Sequence, residues 1–67
     1  MTVVMKTETV EIEVEVRHFT EDALLVSDGG AIECWIARSQ ISDYEGEEDN
    51  PTVIYIPEWL AELEGLV

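Results

Sequence analysis

Sixty-seven residues carry 16 acidic and 3 basic side chains, a formal net charge of -13, and 46% of them are hydrophobic. A chain of this size builds one core and one domain, and it is too apolar for a disordered acidic tail. The charge argues against direct binding to nucleic acid or to an anionic membrane, since both would repel it.

In residues 1–7, Val3 and Met5 fall out of phase with the pattern that follows, which predicts a bulge near Thr7 or a separate N-terminal arm. From Glu8 to His18 apolar and polar residues alternate with a period of two. On a strand this places Val10, Ile12, Val14 and Val16, with His18, on an inner face, and Glu11, Glu13 and Glu15 in an outward row. Phe19-Thr20-Glu21-Asp22 reads as a turn and Ala23-Leu24-Leu25-Val26 as the next strand. Ser27-Asp28-Gly29-Gly30 has the glycines of a tight hairpin turn. A third strand over Ala31 to Ala37 puts Ile32, Cys34 and Ile36 on one face and Glu33 and Trp35 on the other. The acidic stretch from Asp43 to Pro51 reads as a solvated loop. Thr52 to Ile56 is a β-branched closing strand. Pro57 suits the first position of a helix, whose apolar face collects Trp59, Leu60, Leu63 and Leu66 before Gly65 ends it. Four or five antiparallel strands with a short C-terminal helix predict a mainly β domain, a small, partly open barrel or meander of SH3-like or OB-like type.

Trp35-Ile36-Ala37-Arg38-Ser39-Gln40-Ile41, then Ile56-Pro57-Glu58-Trp59-Leu60-Ala61-Glu62 and Gly65-Leu66, resembles a family of small phage and prophage proteins. Ala37 stands where that family usually has proline. The resemblance covers most of the chain from about Glu11. It implies a mobile-element origin and supplies no catalytic residues.

The residues themselves point away from an enzyme. His18 is the only histidine and Cys34 the only cysteine, and both fall in the inward phase of their strands. One cysteine excludes an internal disulfide. Carboxylates are abundant, but an acid/base pair needs one of them in an apolar pocket, and these lie on faces expected to be wet. No metal site or cofactor is expected: one cysteine and one histidine fall short of a zinc set, and the acidic loop lacks EF-hand spacing. Core packing is the expected role of Trp59 and Trp35. No signal-peptide pattern opens the chain and no stretch approaches the ~20 apolar residues of a membrane helix, so a cytoplasmic location in a bacterial host is the expectation.

Protein recognition through charge remains. Glu11, Glu13, Glu15, Glu33, Asp43, Glu45, Glu47, Glu48 and Asp49 are the candidate contacts to a basic surface of a host nucleic-acid-binding protein. An inhibitor that mimics DNA, an anti-CRISPR protein for example, is the sharpest version. The alternative is a structural or regulatory domain of a mobile element, self-associating as a homodimer or docking to another phage protein, with the charge serving solubility. Carboxylates two positions apart on a strand lie about 6.8 Å apart and repel by about 0.6 kcal/mol in water. Added salt should therefore raise the melting temperature, as thermal unfolding across a sodium chloride series would show; a flat or falling response would remove self-repulsion as a factor in folding.

Overall fold

The alternation from Glu8 to His18 forms two strands rather than one. The computed structural model describes residues 8–66, so the expected bulge near Thr7 and the N-terminal arm lie outside the described residues. Strand β1 (Thr9–Glu13) and strand β2 (Glu15–Phe19) are separated at Val14, whose N–H donates to the Thr52 carbonyl at 3.0 Å and whose side chain is buried. The remaining elements are β3 (Ala23–Ser27), β4 (Glu33–Ala37), a 3₁₀ turn (Arg38–Gln40), β5 (Asp43–Glu47), β6 (Asn50–Pro57) and helix α1 (Glu58–Leu63). They form two three-stranded antiparallel sheets, ordered β1-β6-β5 and β2-β3-β4, with no closed barrel.

The inward residues of both sheets meet in one core. Ile12, Val14, Leu24, Val26, Cys34, Ile36, Ile54 and Ile56 are joined there by Leu60 and Ala61 of α1. Val10, Ile12, Val14 and Val16 do all pack on or against it, as the period of two requires.

Several expectations are corrected by local geometry. The acidic stretch is not a loop: Asp43 to Glu47 is a strand paired with β6, and only Glu48 and Asp49 turn the hairpin. In Asp43-Tyr44-Glu45 the carboxylates alternate with an aromatic residue, and β5 sits at a sheet edge where outward charges stay in water. Gly46 adopts φ +103, and a Cβ there would lie 3.1 Å from the Thr52 amide, so this bend needs glycine. The Ser27-Asp28-Gly29-Gly30 signal marks a hairpin, but Ser27 pairs with Glu33, so residues 28–32 make a longer connection than a tight turn.

His18 also departs from its expected face. The register of β2 on β3 slips between Val16 and His18, leaving Arg17 as a bulge, and His18 pairs with Leu25 instead of continuing the inward phase. It is exposed and meets Trp35 edge to face, with ring centroids 6.0 Å apart. Trp35 is 48% exposed, so it covers the outside of the second sheet and does not fill the core.

Helix α1 docks by a different face from the one expected. It starts directly after β6 with Pro57 as its cap, and the Glu58 N–H donates to the Glu8 carbonyl at 2.8 Å. The exit direction of β6 therefore fixes which face docks, and that face is Leu60 and Ala61. Trp59 is 53% and Leu63 72% exposed. Gly65 ends the helix as expected, at φ +77, with Leu66 N–H donating to Ala61 O and Gly65 N–H to Glu62 O, a Schellman closure that returns Leu66 to the core edge. Ala37 holds φ -62 and ψ 133, the backbone geometry of proline, so the bend before the 3₁₀ turn keeps its shape without one.

These positions predict opposite costs for two large residues. Ile54→Ala should lose about 2–5 kcal/mol in urea unfolding, and Trp59→Ala about 0.5 kcal/mol or less. A Trp59 cost equal to that of Ile54 would restore the core role read from the sequence.

Candidate functional site

The outward face of the first sheet is where the carboxylates gather. On β1, Glu11 and Glu13 alternate with buried Ile12; on β5, Asp43 and Glu45 flank Tyr44. Both strands pair with β6, so Glu11, Tyr55 and Asp43 form one cross-strand row, and Glu13, Val53 and Glu45 the next. Side chains in register project to the same side of a sheet. The two outer strands are about 9.6 Å apart and successive rows about 6.8 Å. Four carboxylates thus frame Val53 and Tyr55, which are half-buried.

Tyr55 reports the field of this face. Its hydroxyl donates to Glu45 Oε2 at 2.7 Å. That bond, then burial, then the charges of Glu11, Glu45 and Asp43 push its pKa up to about 12. The carboxylates are placed by backbone pairing, with Asp43 also fixed by accepting the Tyr44 N–H through Oδ1 at 2.8 Å.

The other candidate residues go elsewhere. Glu15 and Glu33 share a row of the second sheet with Ser27 between them, and the bulged Arg17 bridges them, 3.4 Å from Glu15 and 3.6 Å from Glu33. Asp49 is paired with Arg38 Nη2 at 2.8 Å, while Arg38 Nε donates to the Thr20 carbonyl at 3.0 Å and Nη1 to that of Glu48 at 3.5 Å. The β5–β6 hairpin tip is therefore tied to the β2–β3 turn, and its charge is partly spent. Glu47 and Glu48 are exposed beside it. The structure brings together Glu11, Glu13, Asp43 and Glu45, and separates them from Glu15 and Glu33, which Arg17 moderates.

Tyr55 at the centre of the face was not legible as part of an acidic site. The available signal was the spacing Asp43-Tyr44-Glu45 opposite Val53-Ile54-Tyr55, two runs with matching alternation.

Cys34 sits in the core, where burial, followed by the charges of Glu64 and Asp28, pushes its thiol pKa up. A raised pKa leaves it a protonated core residue rather than a nucleophile. Among the described residues, no three His, Cys, Asp or Glu side chains are grouped so as to hold a metal ion. A cleft lined by Leu24, Arg38, Ile41, Tyr44, Glu48 and Pro51 encloses about 160 Å³, below the roughly 300 Å³ at which small-molecule pockets usually begin. No helix of the described residues is long and apolar enough to cross a membrane.

Fold and face together define a small acidic β protein with four carboxylates on one sheet face. Comparison with family models, curated proteins and solved structures finds no match to this chain.

The Tyr55 contact has a pH signature. Its folded-state pKa is raised, so its contribution to stability is complete below the ordinary tyrosine value of about 10 and is lost as pH rises toward about 12. Glu45→Gln keeps an acceptor but removes a charge, and should lower the phenol pKa toward the ordinary value in an absorbance titration. An unchanged titration would mean that the carboxylates do not act on Tyr55.

Proposed function

We propose that this protein is a phage or prophage accessory protein that occupies a basic, nucleic-acid-binding surface of a host protein. The observation that carries the reading is the convergence of Glu11, Glu13, Asp43 and Glu45 on one sheet face. A single strand supplies one outward carboxylate per ~6.8 Å, half the charge density of one DNA strand at ~3.4 Å per phosphate. Two acidic strands flanking β6 double this to one per ~3.4 Å of strand axis, the density of a single DNA strand. The mechanism is competitive: the carboxylates pair with lysines and arginines that otherwise hold phosphates, and Tyr55 and Val53 give the partner's aliphatic stems an apolar floor. Inhibition of a nucleic-acid-guided defence system, in the manner of an anti-CRISPR protein, is the most specific form. The mobile-element origin is supported by the resemblance carried by Trp35 to Ile41 and Ile56 to Glu62.

A second reading has its own support. Phe19, Trp35, Trp59 and Leu63 are all half-exposed or more, as suits a structural or regulatory domain that docks to another phage protein through apolar contacts.

The discriminating experiment is capture from host lysate with mass spectrometry. It compares wild type, Glu11→Gln/Glu13→Gln/Asp43→Asn/Glu45→Gln, and Glu15→Gln/Glu33→Gln. Each change keeps its hydrogen-bonding shape, so the fold should survive. The fourfold variant should lose roughly tenfold or more in affinity for a nucleic-acid-binding partner, and added DNA should release the wild type. The Glu15/Glu33 variant should lose about threefold or less, since Arg17 already engages those charges. Equal retention by all three proteins would favour the apolar docking reading.

A further inference from the structure

The two sheets end in edge strands that differ in what they offer a passing chain. Directly after β4, the Arg38 N–H donates to the Asp22 carbonyl at 2.8 Å, in phase with the register that pairs Ile36 with Leu24 and Cys34 with Val26. Hydrogen-bonded pairs alternate along an antiparallel ladder. The N–H and C=O groups of Glu33, Trp35 and Ala37 therefore point away from β3. Among the described residues, no hydrogen bond from these amides to another loop, cap or side chain is present. The strand has no bulge, and its only charged residue is Glu33.

We propose that this edge of β4 pairs with the same edge of a second copy of the chain, antiparallel about a two-fold axis at Trp35. In that register Trp35 faces Trp35 of the copy, and Glu33 faces Ala37 of the copy, each pair exchanging both N–H···O bonds. No like charges meet. On the outer side, the His18, Leu25 and Trp35 row continues into its own image, giving a longer apolar strip. On the inner side Cys34 lies beside Ile36 of the copy. The same operation on β5 sets Glu45 against Glu45, Asp43 or Glu47 of the copy, and opposed like charges destabilise strand pairs. Arg17 bulges out of β2, and β1 runs directly into it, so those strands are poorer templates.

This inference does not depend on the acidic face having a basic partner, and salt separates the two. Two polyanions associate more tightly as salt screens them, whereas a complex between the acidic face and a basic surface weakens.

The test is sedimentation equilibrium of the full chain across a concentration series, at low and at raised sodium chloride. It uses wild type, A37P and W35E. Ala37 already has the φ of proline and its N–H points out of the sheet, so A37P removes edge donors without breaking the β3 ladder. W35E puts like charges at the two-fold axis at a position that is already half-exposed. The wild type should dimerise, more tightly in salt, and each variant should raise the dissociation constant roughly tenfold or more. Urea unfolding at low concentration checks that A37P keeps its monomer stability, and W35E gives an independent answer if it does not. Hydrogen exchange of the Trp35 amide in the wild type should slow on dimerisation. A wild type that stays monomeric at the highest concentration and salt would overturn the proposal. So would a dimer unaffected by both variants, or one that leaves the Trp35 amide exchanging freely.

Discussion

One backbone hydrogen bond organises the molecule: Val14 N–H to the Thr52 carbonyl, 3.0 Å, at the break between β1 and β2. Before it, the chain pairs with β6; after it, with β3. Val14 itself stays buried, so the inward phase passes through the break and the core remains continuous. The outward row does not remain one surface. Glu11 and Glu13 stay on the first sheet and Glu15 passes to the second, where it meets Arg17 and Glu33. A single amphipathic segment thus furnishes both sheets and divides its charge between them.

The net charge of -13 is compatible with folding because of where the charges are placed. The central strands β3 and β6 contain no charged residue, while every edge strand carries at least one acid. Repulsion is thereby confined to positions with water on at least one flank, where screening is strongest. The described arginines act at two points where carboxylates come close to other elements, Arg17 between Glu15 and Glu33, and Arg38 at the hairpin tip. Neither engages the Glu11, Glu13, Asp43 and Glu45 face. Its charges are left uncompensated by the arginines within residues 8–66, and they add to the hydrogen bond from Glu45 and to burial in raising the Tyr55 pKa.

Much of this architecture could be read from periodicity. The inward set of the opening segment, the apolar β3, the turn glycines and the closing β-branched strand all follow from spacing and residue type. The departures have separate causes. A bulge at Arg17 shifts phase within a strand and leaves no mark in the sequence, so His18 was assigned to the wrong face. In Asp43-Tyr44-Glu45 the charge density hides the alternation, so the run has the composition of a loop and the pairing of a strand. The spacing of Trp59, Leu60, Leu63 and Leu66 marks one broad apolar face on a short helix, and only the exit direction of β6 decides that Leu60 and Ala61 dock while Trp59 and Leu63 stay exposed. The candidate site was half visible for the same reason. Glu11 and Glu13 were evident as a row, but their meeting with Asp43 and Glu45 across β6 is a long-range pairing that local pattern does not encode.

The acidic face and the contrast between the β4 and β5 edges are consequences of one arrangement. Asp43 and Glu45 lie on β5 because that strand flanks β6, which brings them into register with Glu11 and Glu13 and forms the face. Being at the edge, the same carboxylates also guard β5 against pairing with its own copy. Sheet two has no such row: Glu33 is offset to one end of β4, and Trp35 occupies its centre. Charge thus directs the two sheets toward different kinds of contact. The first presents carboxylates on its face, the surface proposed to meet cationic side chains, and sets like charges against a second copy at its β5 edge. The second has Arg17 between its two carboxylates and its aromatic residues outward, which makes its backbone edge the better template for the proposed pairing. The two proposed contacts are compatible in a protein of this size because they use different parts of the sheet, side-chain charge in one and main-chain hydrogen bonds in the other.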